Sequence, residues 1–441
     1  MIDSCRVRNI ITTPRGIGQC RQPAASCPLP RPDAVRGIEK ESEDTKMNVL
    51  ILGDGAEERS WVSWFDSRPE HDLKAIYPGT PSANIPGDRV VGDLDEALAT
   101  AGIDLVIVGG RIEDRAEALR RAAAEGFAII CLHPPGADSE PYYQVALSRQ
   151  ETGAIVVPDL PLRLHPGVVR LRQAVQTAEL GAFRSIRHES RAGAGDTDLA
   201  RQAFPKAVDV IRSLLGEIEA LTASGDPPGD HPDLELVVQL RASAGRRAEI
   251  RIEAGPSDSA RLTVNGSSGS LTLEYDRGFR QPARLIRRGT ASGSDEIIEL
   301  EDWDPHEAIM RTVAGSLEKR GQESTSGVGP SLNDGTRAME LAEAVARSLR
   351  RGRTIDLHYE AISEEASFKS IMTSTGCSIL LGILFLLPMA LAGPALGFNW
   401  TIYLAWLIPP VLVVFAVVQL LRFGIRREGS GDERGPNRGA S

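Results

Sequence analysis

The stretch Met47-Asn48-Val49-Leu50-Ile51-Leu52-Gly53-Asp54-Gly55 decides the architecture of this chain. Residues 48–53 form a short, continuous apolar run ending in glycine. Strands buried on both faces read this way, and parallel sheets are the ones covered on both faces. Gly53-Asp54-Gly55 supplies a tight turn, and 57–65 reads as the helix that follows. Working onward, 73–77 and 105–108 are further strands, the latter closed by Gly109-Gly110. A helix over 113–125 carries Ala116, Leu119 and Ala123 at helical spacing, and 127–132 is the next strand. Strands alternating with helices predict a parallel sheet joined by right-handed crossovers.

After about His165 the pattern changes. Residues 167–180 read as a helix ended by Gly181. Ile250, Ile252 and Ala254 then alternate with Glu249, Arg251 and Glu253. Leu262 and Val264, followed by Leu271, Leu273 and Tyr275, flank a loop at 265–269. Such alternation predicts antiparallel strands with one wet face. A last helix has Ala338, Leu341, Ala342, Val345 and Leu349 on one face, with Asn333/Asp334 as its expected cap. The second domain is therefore expected to be α+β with an open antiparallel sheet. The stretch 323–330 has loop composition.

The chain has 441 residues, a net charge of −10 and five cysteines. The length suits two domains plus an extra module. The acidic balance argues against nucleic acid as a partner. Cys5, Cys20 and Cys27 match no zinc spacing, and no metal site is expected. Residues 1–46 lack apolar periodicity and are expected to be disordered, with Met47 an alternative start. No Asp, Glu, Lys or Arg falls between Lys369 and Arg422. That length suits two membrane passes within 373–423, turned at Gly393-Pro394 and Gly397-Phe398-Asn399. Arg422, Arg426 and Arg427 would then hold the 424–441 tail, and with it the body, on the cytoplasmic side of an inner membrane. Residues 359–372 are the expected linker.

Seven local patterns occur in order. Gly53-x-Gly55 follows the first strand. The run 103–108 is similar to "VDAVVIAT", and 125–134 to "GKHVLCEKP". Arg163-Leu164-His165-Pro166 resembles "RFxP", and Glu179-Leu180-Gly181 resembles "GxLG". Lys206-Ala207-Val208-Asp209 through Leu215-Gly216 resembles "HxxDxxRWLxG". Gly266-x-x-Gly269-x-Leu271 resembles "GxxGxL". Together they resemble the Gfo/Idh/MocA family of NAD(P)-dependent oxidoreductases over about 47–358. The resemblance implies a Rossmann-type dinucleotide domain at 47–163 and an α+β substrate or oligomerisation domain at 164–358. It implies NAD or NADP held by Gly53, Gly55, Ala56, Gly109, Gly110 and Pro134, and a sugar-like or cyclitol substrate. It also raises the expectation of a homo-oligomer formed through the open sheet.

Several positions depart from the family pattern. Leu132-His133-Pro134 stands at "EKP", and Gln202, Phe204 and Lys206 stand at the Asp, Gly and His positions of "DxGxH". His133 and Lys206 are the candidate catalytic groups, since each can carry a proton. A lysine base needs its pKa lowered by its surroundings. Glu58 stands where the third glycine of the fingerprint belongs, and Asp54, Glu57 and Glu58 surround the anion site. Carboxylates there suit the helix but oppose a pyrophosphate. Two readings follow: a membrane-anchored NAD(P)-dependent oxidoreductase, or a non-catalytic ligand-binding or scaffold relative.

Overall fold

The computed structural model describes residues 46–79, 89–192, 198–225, 235–255, 258–289, 295–318 and 329–357. The expected linker, hairpin and tail at 359–441, and 1–45 of the N-terminal extension, lie outside the described residues.

Strands β1 (Asn48–Leu52), β2 (Asp72–Tyr77), β3 (Leu105–Val108), β4 (Ala128–Cys131) and β5 (Ile155–Pro158) form a parallel sheet in the order β2-β1-β3-β4-β5. The apolar run of β1 is buried on both faces, as its composition requires. Val49 and Ile51 join a core with Trp61 and Phe65 of α1 (Ala56–Asp66) and with Ile309 and Val313 of α7 (Pro305–Glu318). Leu50 and Leu52 face the opposite core. That core holds Leu98 of α2 (Leu94–Leu98), Leu119 of α3 (Ile112–Ala124), Tyr142 of α4 (Glu140–Thr152) and Met339 of α8 (Leu332–Arg351). Each such fully buried aliphatic side chain contributes about 1.5–3 kcal/mol, which makes β1 the centre of the layer. The C-terminal helices α7 and α8 thus return to the first sheet.

The second sheet has nine strands. They are β6 (Phe183–Ala192), β7 (Ile218–Gly225), β8 (Glu235–Ala242), β9 (Arg247–Ala254), β10 (Ser259–Gly266), β11 (Gly269–Asp276), β12 (Arg284–Gly289), β13 (Glu296–Glu299) and β14 (Ile355–Asp356). Their order is β13-β12-β11-β10-β6-β9-β8-β7-β14. The pairings are antiparallel except at the centre, where β6 and β9 run parallel, with Ile186 opposite Ala248. The expected purely antiparallel sheet is corrected in that one pair. Alternation reports a wet face and says nothing about the direction of a neighbour. The dry face packs on α5 (Pro166–Gln176), α6 (Phe204–Leu215) and α8. The wet face carries cross-strand ion pairs such as Arg187–Glu249 at 3.3 Å and Arg251–Glu235 at 2.6 Å.

Two local readings change. Helix α5 stops at Gln176, before Gly181, because Ala178 turns to φ +52°. Helix α8 is capped by Ser331. Its hydroxyl accepts from the Asp334 N–H at 3.2 Å, while Asp334 accepts from the Ser331 N–H at 3.0 Å. This is a reciprocal capping box, so Asp334 is its third residue and not its start.

The placement as a multi-pass inner-membrane protein is also corrected. No helix among the described residues is long and apolar enough to cross a membrane. Helix α8 has the length, at 20 residues, but carries Asp334, Arg337, Glu340, Glu343, Arg347, Arg350 and Arg351. The 373–423 stretch that prompted the expectation lies outside the described residues.

Candidate active site

The parallel strands end in a crevice, the place where open α/β sheets bind ligands. Gly53, at φ +121°, approaches the loop after β3 so closely that a Cβ would stand 2.2 Å from the Gly110 nitrogen. A Cβ on Gly109 would meet the Glu58 carboxylate at 2.1 Å, and one on Gly55 would meet it at 2.4 Å. Gly53 requires glycine because it meets fixed backbone, and a side chain at 55 or 109 would displace Glu58. Ala56 opens α1 beside them. The structure therefore brings Gly53, Gly55, Ala56, Gly109 and Gly110 to one loop cluster. Arg115 ties Pro134 to it. The Arg115 guanidinium donates to the Gly110 carbonyl at 2.9 Å and to the Pro134 carbonyl at 2.9 Å.

Glu58 sits beneath this cluster and is 2% exposed. Its carboxylate accepts from the Gly110 N–H and lies 3.9 Å from the Arg115 guanidinium. Its charge is turned inward and paired. The repulsion expected from Glu58 toward a pyrophosphate is reduced accordingly, and the glycine loop fits a dinucleotide's close approach.

A cavity of about 230 Å³ lies beside the loop, between the two sheets. Its walls include Glu57, Asp159, Lys206, His306, Tyr275 and Phe279. Lys206, from the first turn of α6, reaches across to Glu57 of α1 and forms an ion pair with it. Burial works against the charged ammonium, but Glu57 and Asp159 outweigh it and hold the Lys206 pKa above its ordinary value. Asp159 follows β5 directly, and its N–H donates to the Cys131 carbonyl at 2.8 Å. Burial pushes its carboxyl up to about 6, against the pull of Lys206. His306 completes the wall, 3.2 Å from the Ser60 hydroxyl and edge-on to Trp61. The sequence reading missed Asp159 and His306. Neither lies in a motif; the only local signal was an acid directly after a buried strand.

His133 and Lys206 do not share the cavity wall, although the Lys206 charge is near enough to help keep His133 neutral. His133 is 1% exposed and lies outside the cavity wall. Its Nδ1 is 3.0 Å from the Tyr142 hydroxyl and its ring stacks on Tyr142. Burial pushes its pKa down to about 3, so it is a neutral ring near neutrality. Phe204, at the glycine position of the motif, is fully buried, and Gln202 faces a separate groove.

Beneath the cavity, Arg163 donates twice to Asp209, at 3.0 and 2.7 Å, and once to Asp334, at 2.7 Å. This network joins the end of the first sheet to α6 and α8. A wider groove of about 1280 Å³ lies on the wet face of the second sheet. Its charges are already matched across strands, as in Arg261–Glu274, so the smaller cavity is the candidate site. Among the described residues, no group of three or more His, Cys, Asp or Glu is placed to hold a metal ion.

No family model matches the chain. It is similar to an inositol 2-dehydrogenase of Rhizobium meliloti (strain 1021), 25% identical over 60% of this chain and 84% of the relative. It is also similar to an inositol 2-dehydrogenase of Mycolicibacterium gilvum (strain PYR-GCK), 24% identical over 76% of this chain and 99% of the relative. Among solved structures, a levoglucosan dehydrogenase in complex with NADH and L-sorbose shares the fold. Its TM-score is 0.60 at 15% identity, over 72% of this chain and 100% of the other. Similarity to dehydrogenases of this kind, with the absence of a crossing helix among the described residues, overturns the multi-pass membrane placement. The inositol dehydrogenase relatives and the shared two-domain fold support the Gfo/Idh/MocA oxidoreductase family for this chain.

Proposed function

We propose that this chain oxidises a ring hydroxyl of a cyclitol or sugar-like substrate with NAD or NADP, and that Asp159 takes the proton while Lys206 stabilises the oxygen. The convergence of these two side chains on one cavity at the carboxyl end of the parallel sheet carries the reading. The backbone of Gly53, Gly55 and Ala56 at the start of α1 would hold the cofactor, with Gly109, Gly110 and Pro134 beside it. When bound, the cofactor supplies the acceptor for the hydride. Lys206, kept charged by Glu57 and Asp159, stabilises the oxygen as its negative charge develops. Asp159, ionised above about pH 6, accepts the hydroxyl proton. His133, neutral and buried, instead supports the segment before Pro134 through Tyr142.

The non-catalytic reading rested on substituted motif positions. Asp159 supplies a carboxylate from outside those motifs, and the relatives are dehydrogenases. The test is reduction of NAD or NADP by the purified chain with myo-inositol. Asp159→Asn and Lys206→Met should each lower turnover by about 10²–10⁴. Two variants with wild-type turnover would refute the assignment. Cofactor at about 100 times its dissociation constant should stabilise the fold by about 2.7 kcal/mol.

A further inference from the structure

We propose that Phe279 is the platform on which the carbon-bound face of a six-membered polyol ring stacks, setting a preference for cyclic over open-chain substrates; this rests on the oxidoreductase reading above. Three non-glycine residues among those described hold positive φ: Ala178 at +52°, Ala244 at +57° and Phe279 at +52°. Both alanines are exposed in turns. Phe279 lines the cavity. A bulky residue in this backbone region is strained, and strain of this kind gathers at ligand sites. Its surroundings enforce the conformation. The Phe279 N–H donates to the Asp276 carbonyl at 2.9 Å. Its ring lies near-parallel to Tyr275 at 6.1 Å and 12° and to His165 at 6.1 Å and 25°, and meets Trp303 edge-on at 4.9 Å. Its half-buried remainder lines the cavity. Tyr275 is in turn anchored by His188, at 2.8 Å from its hydroxyl.

The cavity is therefore two-sided. Glu57, Asp159, Lys206 and His306 supply hydrogen-bonding groups, and Phe279 with Tyr275 supplies flat aromatic surface. A saturated polyol ring has matching sides, with hydroxyls at its rim and C–H bonds on its face. Those C–H bonds meet the electron-rich face of an aromatic ring favourably. An open-chain hexitol offers the same hydroxyls but no rigid face. At about 230 Å³ the cavity lies below the roughly 300–1,000 Å³ of drug-sized sites, so it suits one ring and not an oligosaccharide.

The test titrates the full chain, with NADH present, with myo-inositol and with sorbitol by calorimetry. The wild type should prefer myo-inositol. Phe279→Leu, which keeps apolar bulk without an aromatic face, should weaken myo-inositol about tenfold and sorbitol less than about twofold. Phe279→Tyr should restore wild-type binding, and Phe279→Met replaces the leucine variant if that one does not fold. Equal losses for both ligands, no loss at all, or no preference in the wild type would overturn the inference. Phe279-dependent myo-inositol binding by a chain that reduces no nicotinamide would instead sink the oxidoreductase reading alone.

Discussion

Replacing Arg163 by Met tests the network beneath the site most directly. Arg163 is 6% exposed and Asp209 is fully buried, and the two share hydrogen bonds of 3.0 and 2.7 Å. The substitution keeps most of the volume but leaves a buried carboxylate without its partner. Breaking a buried pair in this way costs about 3–5 kcal/mol. That is a large share of the about 5–15 kcal/mol that holds a typical fold. At about 2–4 °C per kcal/mol, the melting temperature should fall by roughly 6–20 °C. Asp334 should not add much to the loss, because it keeps Arg212 at 3.3 Å and the Ser331 cap. Urea unfolding is the assay, with an unchanged slope showing that stability alone has moved. The deficit should also depend on pH. Burial already pushes the Asp209 carboxyl up to about 6, and loss of Arg163 raises it further. The folded variant then favours the neutral acid, so the deficit shrinks as pH falls through the variant's raised value to the wild-type value of about 6, the unfolded value being common to both. Arg163→Met with Asp209→Leu should recover most of the loss, since an apolar pair can replace a buried ionic one. A single variant costing under about 1 kcal/mol, or a double variant no better than the single, would refute the reasoning.

Other expectations concern the cavity. The rate of alcohol oxidation, as kcat/KM, should rise with pH through about 6 as Asp159 ionises, and Asp159→Asn should abolish that limb. The folded pKa lies above the unfolded value, so the stability from Asp159 is full below about 3.9 and lost as pH rises through about 6. The asparagine variant should therefore be at least as stable as wild type in urea at mildly alkaline pH. Glu57→Gln removes the first of the charges that hold Lys206 up, so the alkaline limb should move to lower pH; an unmoved limb would separate Lys206 from the reaction. Glu58→Gly should lose about 1–3 kcal/mol in urea unfolding, because it strips the acceptor from the Gly110 N–H and the neighbour from buried Arg115. A more stable glycine variant with tighter cofactor binding would restore the repulsion argument.

Much of the fold was legible in residue order. The run Val49-Leu50-Ile51-Leu52 admits little but a buried strand, and it pairs in parallel as expected, its neighbours being β2 and β3. The alternation at 249–254 marked a one-sided strand correctly. Helix α7 was not read, and its apolar residues Ile309, Met310 and Val313 pack on the first sheet from across the second domain in sequence. The parallel pairing of β6 and β9 was likewise silent, because side-chain period is the same for either direction.

The site was legible only in part. Lys206 was read as a candidate catalytic group and lines the cavity. His133 was read as a second candidate catalytic group, yet the same local sequence is compatible with a ring facing the cleft or buried on Tyr142, and packing chose the second. The glycines at 53, 55, 109 and 110 were visible as loop residues, but the close approach that Gly53 allows is a distance across the fold, and Gly110 is set by its φ of +82°.

By itself, then, the order of residues determined the elements, their alternation and the loop of glycines at the first strand's end, because periodicity and backbone freedom act over a few neighbours. Tertiary structure alone decided that Asp159, from the first domain, would meet Lys206, from the second, and that Glu58 would face inward. Those placements depend on which surfaces share a dielectric boundary, and burial and charge pairing exist only once distant segments are packed together.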